Sequence, residues 1–226
     1  MSSKEIQGSI FDIMRYAIHD GPGIRTTVFF KGCPLHCWWC HNPESQRVQQ
    51  EIIVRPERCH SCGDCRKACP NNAINHKENC TSCGRCAKAC LFNARELVGR
   101  TVSVGEVIKE IEKDIIFFDQ SGGGATFSGG EPLMQPAFLQ ALLESCQQKE
   151  IHTVVETCGF ARPDLINKIK DSVNLFLYDL KILDSKEHEK YTGVNNKLIL
   201  ENLKNLAGSH RNVVVRIPVI PGINDS

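Results

Sequence analysis

Long apolar runs are missing from this chain. No stretch approaches the roughly 18–20 consecutive apolar residues that a membrane span needs, so a membrane is not expected among its partners. An excess of one charge is missing too: 27 Lys and Arg stand against 26 Asp and Glu, a formal charge of +1. A surface that tracks phosphates needs a basic excess, so nucleic acid is a poor partner. The opening, "MSSKEIQGSIFD", lacks the basic-then-apolar layout of a secretory leader, and the chain reads as cytoplasmic.

What the chain has in abundance is cysteine, 13 in 226 residues. In a reducing compartment such a count points to metal before disulfides, and an odd number fits a disulfide framework badly. The length allows one large domain, or one domain with a small insert, able to bury a core without staples. The cysteines are bunched. Residues 59–69 read C-H-S-C-G-D-C-R-K-A-C, followed by Pro70, and residues 80–90 read C-T-S-C-G-R-C-A-K-A-C. This repeat, with a period of about 21 residues, is poor in large apolar side chains and needs metal to hold it.

Around the repeat the pattern is strand and helix in alternation. The runs 25–31, 124–130, 151–159, 173–181 and 212–220 read as strands. Apolar spacing predicts helices over 103–118, 136–149, 163–171, 186–191 and 197–208, the first opened by a capping box of Ser103 and Glu106. Such alternation implies right-handed crossovers and a parallel sheet, open or a partial barrel. Each strand ends in polar residues or glycine: Cys33, "SGGE", "ETCG", "DLK" and "RIPV". That edge of a parallel sheet is where ligands bind.

The spacing C-x2-C-x2-C-x3-C-P belongs to two-cluster ferredoxins, in which the fourth cysteine of each run crosses to the other cluster. Cys59, Cys62, Cys65 and Cys90 then hold one 4Fe–4S cube, and Cys69, Cys80, Cys83 and Cys86 the other. Zinc is the alternative, but four closely spaced thiols per run suit cubes better than tetrahedral ions. "KGCPLHCWWCHN" supplies only Cys33, Cys37 and Cys40. Three thiolates on a cube leave one iron open, and an open metal position is where chemistry happens. Cys146 and Cys158 are left over and read as small buried hydrophobes. His36 and His41 flank the loop and read as surface or packing residues. Trp39 either fills core or stacks on an aromatic ligand at the open iron.

The C-x3-C-x2-C after a first strand resembles the radical S-adenosylmethionine (SAM) superfamily. "DGPGIRTTVFFKGCPLHCWWCHNPES" resembles the start of the glycyl-radical-enzyme activating enzymes within it. "FSGGEP", "ETCG", "YDLK" and "RIPVIPGIND" match that group in its order, over essentially the whole chain. Pyruvate formate-lyase activating enzyme is its simplest member and lacks the cysteine-rich insert, which activators of several other partners carry at this place.

The resemblance implies a partial radical-SAM barrel over residues 1–53 and 94–226, with a ferredoxin-like insert at 54–93. It implies SAM and three 4Fe–4S clusters as cofactors. Cys33, Cys37 and Cys40 would hold the catalytic cluster, whose open iron SAM chelates. Gly129, Gly130 and Glu131 would hold the SAM amino end, and Asp179 and Lys181 the methionyl part. Arg216 would lie near the carboxylate or ribose, and Trp39 along the adenine. Glu156 and Thr157 would lie near SAM and contribute to a monovalent-cation site, with Glu where some relatives have Asp. Asp20 would hold the glycine loop of a partner.

The implied activity is reductive cleavage of SAM to methionine and a 5′-deoxyadenosyl radical, which takes a hydrogen from a backbone glycine of a glycyl radical enzyme. Electrons would come from a ferredoxin or flavodoxin. Rival readings are a radical SAM enzyme acting on a small molecule and a ferredoxin-type electron carrier. The group's sixth strand, with its histidine near SAM, is absent before the chain ends at "PGINDS". That absence predicts an exposed strand edge at Val213–Val219.

Overall fold

The computed structural model describes residues 3–225. In chain order its strands and helices begin with β1 (Gln7–Ala17), β2 (Arg25–Phe30), β3 (Glu51–Val54), α1 (Asp64–Ala68), α2 (Arg85–Lys88), β4 (Arg95–Val98) and β5 (Arg100–Ser103). There follow α3 (Val104–Glu112), α4 (Ile115–Ser121), β6 (Gly124–Gly129), α5 (Pro136–Gln147) and β7 (His152–Thr157). The last are α6 (Pro163–Ile169), β8 (Leu175–Asp179), α7 (Ser185–Thr192), α8 (Lys197–Ser209) and β9 (Val213–Arg216). Two compact units result, Met1–Val48 with Thr101–Ser226, and Gln49–Arg100.

The larger unit is built on a sheet ordered β5-β1-β2-β6-β7-β8-β9. From β2 to β9 every neighbouring pair is parallel, so the five strands expected from the sequence lie side by side in chain order. Their C-terminal ends therefore share one edge. The inner strands β2 (RTTVFF) and β6 (GATFSG) are almost wholly buried. Phe30, Phe127 and Phe138 meet in tilted and edge-on pairs at the core, backed by Leu139, Leu142 and Ile111 from α5 and α3. Val214 and Val215 on β9, and Ile217 just after it, are about half exposed.

Two features were not expected. Strand β1 pairs antiparallel with β2 and borders the parallel set. The helix expected over 103–118 is broken between α3 and α4. Its first half begins with the predicted capping box. The break falls at Asp114, a buried carboxylate drawn out of helical geometry by Arg15, whose Nε donates to it at 3.0 Å, and by the Thr26 hydroxyl at 2.6 Å.

In the smaller unit, β3 and β4 form an antiparallel pair from Glu51↔Val98 to Val54↔Arg95. That pairing carries the unit's bounds outward from the 54–93 read in the sequence. Between the strands the two cysteine runs fold alike. Each passes through residues of positive φ at the same repeat positions, Ser61 and Gly63, then Ser82 and Gly84. Each then enters a short helix, α1 and α2, which pack together.

Candidate active site

The end of β2 runs straight into the three-cysteine loop. Backbone bonds pin its start: Gly32 N–H donates to Ser45 O at 2.6 Å and Cys33 N–H to Gln46 O at 3.0 Å. The end of α7 braces its middle, where the Thr192 and Tyr191 carbonyls accept from His36 and Trp38 N–H at 2.7 and 3.1 Å. The Tyr191 ring lies against both Trp38 and Trp39. Leu35, 2 % exposed, anchors the loop in the interior.

The turn after β6 must approach this loop closely. Gly129 has φ +102°, and a Cβ there would lie 2.6 Å from Phe30 N. A Cβ on Gly130 would lie 2.2 Å from Gly32 O. The Gly130 and Glu131 N–H groups are committed to Phe30 O and Gly32 O, at 2.8 and 2.7 Å. The glycines thus serve first to seat the turn on the cluster loop.

Above that edge lies a cavity of about 890 Å3. Cys33, Cys37, Cys40 and Trp39 form one wall, and Gly129, Gly130 and Ser128 another. Glu156, Thr157, Asp179, Lys181 and Arg216 close it from β7, β8 and β9, and Asp20 lines its far end. His41 also lines it, while His36 is exposed against the α7 turn at Gly193.

The charged lining is a chain of alternating sign. The Ser128 hydroxyl donates to Glu156; Arg216 donates through Nη1 to Glu156 at 2.7 Å and through Nε to Asp179 at 2.8 Å; Lys181 Nζ meets Asp179 at 3.0 Å. Burial works against the Arg216 and Lys181 charges, but their carboxylate partners more than offset it and hold both above their ordinary values.

Burial pushes the Cys33 thiol up to about 12, and raises Cys37 as well. Thiols placed as Cys33 and Cys37 are poor acids by themselves, and a bound iron would supply the cation that keeps them as thiolates. With Cys40 they form a set of three sulfur donors lining one cavity together with Gly129 and Gly130, a donor set that would suit a 4Fe–4S cube.

Glu131 is not part of the lining. It is 1 % exposed, and protein donors occupy both its oxygens: Leu133 N–H at 3.1 Å and the Thr157 hydroxyl at 2.8 Å on one, Cys158 N–H at 2.8 Å and Sγ at 3.0 Å on the other. Burial raises its pKa. The carboxyl ties the β6 turn to the β7 turn and leaves the cavity to the backbone of its neighbours. Cys146 sits in the core as expected, but Cys158 does more than pack, because it donates to Glu131.

In the smaller unit a cavity of about 260 Å3 is lined by Cys59, Cys62, Cys65 and Cys90, three from one run and the last from the other. Cys86 lies within electrostatic reach of Cys80 and of Cys69, again across the runs. The Cys69 and Cys90 sulfurs accept from Ala73 and Ala94 N–H, each at 3.2 Å. Burial opposes their ionisation, but backbone N–H groups prevail and lower both thiols. Among the described residues, no set of three or more His, Cys, Asp or Glu is arranged to hold a single metal ion. A cube is wider than an ion and spreads its thiolates further.

The model of the Radical SAM superfamily matches residues 27–226. The chain belongs to the radical SAM superfamily. It is 48 % identical to the trans-4-hydroxy-L-proline dehydratase activating enzyme of Clostridioides difficile, over 95 % of this chain and 74 % of that one. It is 43 % identical to the choline trimethylamine-lyase activating enzyme of Oleidesulfovibrio alaskensis, over 98 % and 75 %. The (2S)-3-sulfopropanediol sulfolyase activating enzyme of Bilophila wadsworthia is also 43 % identical, over 100 % and 79 %. Within the superfamily the chain is thus one of the glycyl-radical-enzyme activating enzymes, which cleave SAM and generate a radical on a protein partner.

Several residues that shape this radical SAM site were not singled out from the sequence. Asn202 Nδ2 donates to Gly159 O and Ala161 O, both at 2.8 Å, and fixes the turn after β7. Asn196 Nδ2 does the same for the turn after Lys181, reaching Ile182 O and Leu183 O at 3.0 and 2.7 Å. His188 pins the end of α7, its Nδ1 2.6 Å from Val194 O. The Arg of "DGPGIR" is an anchor: Arg25 is fully buried and donates to Pro22 O, Ala125 O and the Thr126 hydroxyl. A polar residue inside an apolar helix face, as Asn202 is, was the one available signal.

Proposed function

We propose that the large cavity holds SAM against a 4Fe–4S cube on Cys33, Cys37 and Cys40, and presents it to a backbone glycine of a glycyl radical enzyme entering past Asp20. The observation that carries this is the single cavity joining three thiols to the polar ends of all five parallel strands. Cys33, Cys37 and Cys40 would hold the cube, which when bound would supply the one-electron reduction that cleaves SAM to methionine and a 5′-deoxyadenosyl radical.

The chain's own residues bind and orient. SAM brings a carboxylate and an ammonium together, and the alternating chain of Glu156, Arg216, Asp179 and Lys181 offers both signs at one wall. The N–H groups of Gly130 and Glu131 are committed to Phe30 O and Gly32 O, so the glycine turn would meet the SAM ammonium through other backbone atoms. Trp39, braced by Tyr191, offers a flat face to the adenine. The Asp20 carboxylate is held by the Thr27 hydroxyl at 2.6 Å and its carbonyl by Thr126 at 2.8 Å, so it enters the cavity oriented. Glu156 is already neutralised by Arg216 and the Thr157 hydroxyl is spent on Glu131, so these groups fit a monovalent cation poorly and we assign none.

The smaller unit is proposed to carry two further cubes with crossed ligands. The lining of its cavity and the nearness of Cys86 to Cys69 and Cys80 support that pairing. Their role would be to receive electrons from a ferredoxin or flavodoxin. The three relatives above are named for three different partners at 43–48 % identity to this chain, so identity at this level is compatible with different partner enzymes.

The test is anaerobic incubation of the reconstituted enzyme with SAM, dithionite and candidate glycyl radical enzymes. Methionine and 5′-deoxyadenosine should form, with an organic radical signal in EPR on the correct partner. SAM cleavage with no protein radical on any partner would favour a small-molecule substrate. No cleavage at all would sink the proposal.

A further inference from the structure

The two cysteine runs are near copies, and the copies diverge at one telling place. Five residues after the last cysteine of each run, Cys69 is followed by Ile74 and Cys90 by Arg95. The structure treats the positions as equivalents: each backbone N–H reaches the sulfur of its own run's last cysteine, and both residues line the cavity shared by Cys59, Cys62, Cys65 and Cys90. An apolar side chain in one copy is thus replaced by a cation in the other.

Arg95 opens β4, which packs against α2, the helix carrying Cys86 of the second set. Its charge acts on Cys90 of one set and on Cys69 and Cys86 of the other. Among the described residues, the Arg95 guanidinium makes no hydrogen bond or ion pair with the protein. A half-buried cation with no ion-pair partner among the described residues, lining a cavity with Cys59, Cys62, Cys65 and Cys90, is suited to an anionic neighbour.

We infer that Arg95 sets the electron affinity of the two clusters of this unit, raising their reduction potentials, first that of the cube ligated by Cys90. The inference rests on the two-cluster reading of the unit. A cube on four thiolates is anionic, and one-electron reduction by a low-potential donor protein adds a further negative charge. A fixed positive charge nearby stabilises the reduced form more than the oxidised one. The divergence at the repeat thereby makes the unit a better electron acceptor than a symmetric pair with isoleucine at both positions.

The experiment is an EPR-monitored redox titration of the full reconstituted chain on a Cys40→Ala background, which removes the catalytic cube. Iron is counted in the same samples. With about eight irons bound, Arg95→Gln should lower the reduced fraction at fixed potential at least tenfold for one cluster, a shift of about 59 mV for a one-electron couple. Arg95→Lys should stay within about threefold of the parent, because the charge is kept. Ile74→Arg should move the potential the other way, and it reads the effect even where Arg95→Gln loses iron. Unchanged potentials in Arg95→Gln with its iron retained, or in Ile74→Arg, would overturn the role of Arg95. Absence of iron from the Cys40→Ala parent would instead overturn the two-cluster reading, and this inference with it.

Discussion

Removing Arg216 would reach further than its place at the end of an edge strand suggests. Among the described residues its guanidinium alone links Glu156 and Asp179 in the alternating chain, at 2.7 and 2.8 Å. The two carboxylates are 12 and 23 % exposed, so neither is fully solvated. Arg216→Gln leaves both facing the same space with Lys181 as the remaining cation. Breaking a fully buried pair costs about 3–5 kcal/mol, and an exposed pair at most about 1. Arg216 itself is 35 % exposed, so solvent screening discounts the interior figure and about 2 kcal/mol is expected. The same loss at the cavity wall should weaken SAM binding roughly 30-fold, since about 1.4 kcal/mol is a factor of ten. Two anaerobic assays read the two effects: urea denaturation of the unloaded chain, and equilibrium dialysis of labelled SAM against the reconstituted enzyme. Arg216→Lys should recover part of the stability and less of the affinity, because an ammonium cannot donate to both carboxylates in the same fork. If Arg216→Gln leaves both the urea midpoint and SAM binding unchanged, the charge chain is not what organises this wall.

Gly130→Ala puts a methyl 2.2 Å from Gly32 O and 3.1 Å from Ser45 O, so the cluster loop must move. Iron should fall from about twelve to about eight atoms while the far-UV spectrum persists; full iron would contradict the role given to that turn. Cys65→Ala should lose one cube of the smaller unit yet retain SAM binding, and loss of all SAM binding would show that the unit is not independent. Burial lowers the pKa of His152 and His188, so each binds fewer protons folded than unfolded. Stability should therefore be full above pH 6.5 and fall as pH drops below it, by at most about 1.4 kcal/mol per pH unit for each group. Urea midpoints from pH 8 to 5 should give a shallower fall in His188→Gln than in the parent, and equal slopes would refute the assignment.

The cysteine pattern was legible because its spacing is local in sequence; the structure brings Cys90 into one cavity with Cys59, Cys62 and Cys65, which supports the proposed crossed ligation. The five parallel strands were legible because burial on both faces leaves continuous apolar runs. Strand β1 was not, because one of its faces is exposed and Asp12 and Arg15 interrupt its alternation. The break at Asp114 was hidden because its causes, Arg15 and Thr26, lie about 90–100 residues away. Glu131 shows the same limit at the site. A motif places its backbone beside the ligand, but only the fold reveals that its carboxyl turns inward to Thr157 and Cys158. The brace Asn196 looks in the sequence like an ordinary residue before a helix, and the partners of Asn196 and Asn202 are turn carbonyls that no spacing rule identifies.

Three thiols, and not four, are proposed to hold a cube whose open position takes SAM. The decisive variant is Cys40→Ala, with iron and SAM cleavage measured on the same anaerobic preparation. About eight irons are expected where the parent has about twelve, and no methionine or 5′-deoxyadenosine with dithionite. Twelve irons, or SAM cleavage at the parent rate, would contradict this assignment.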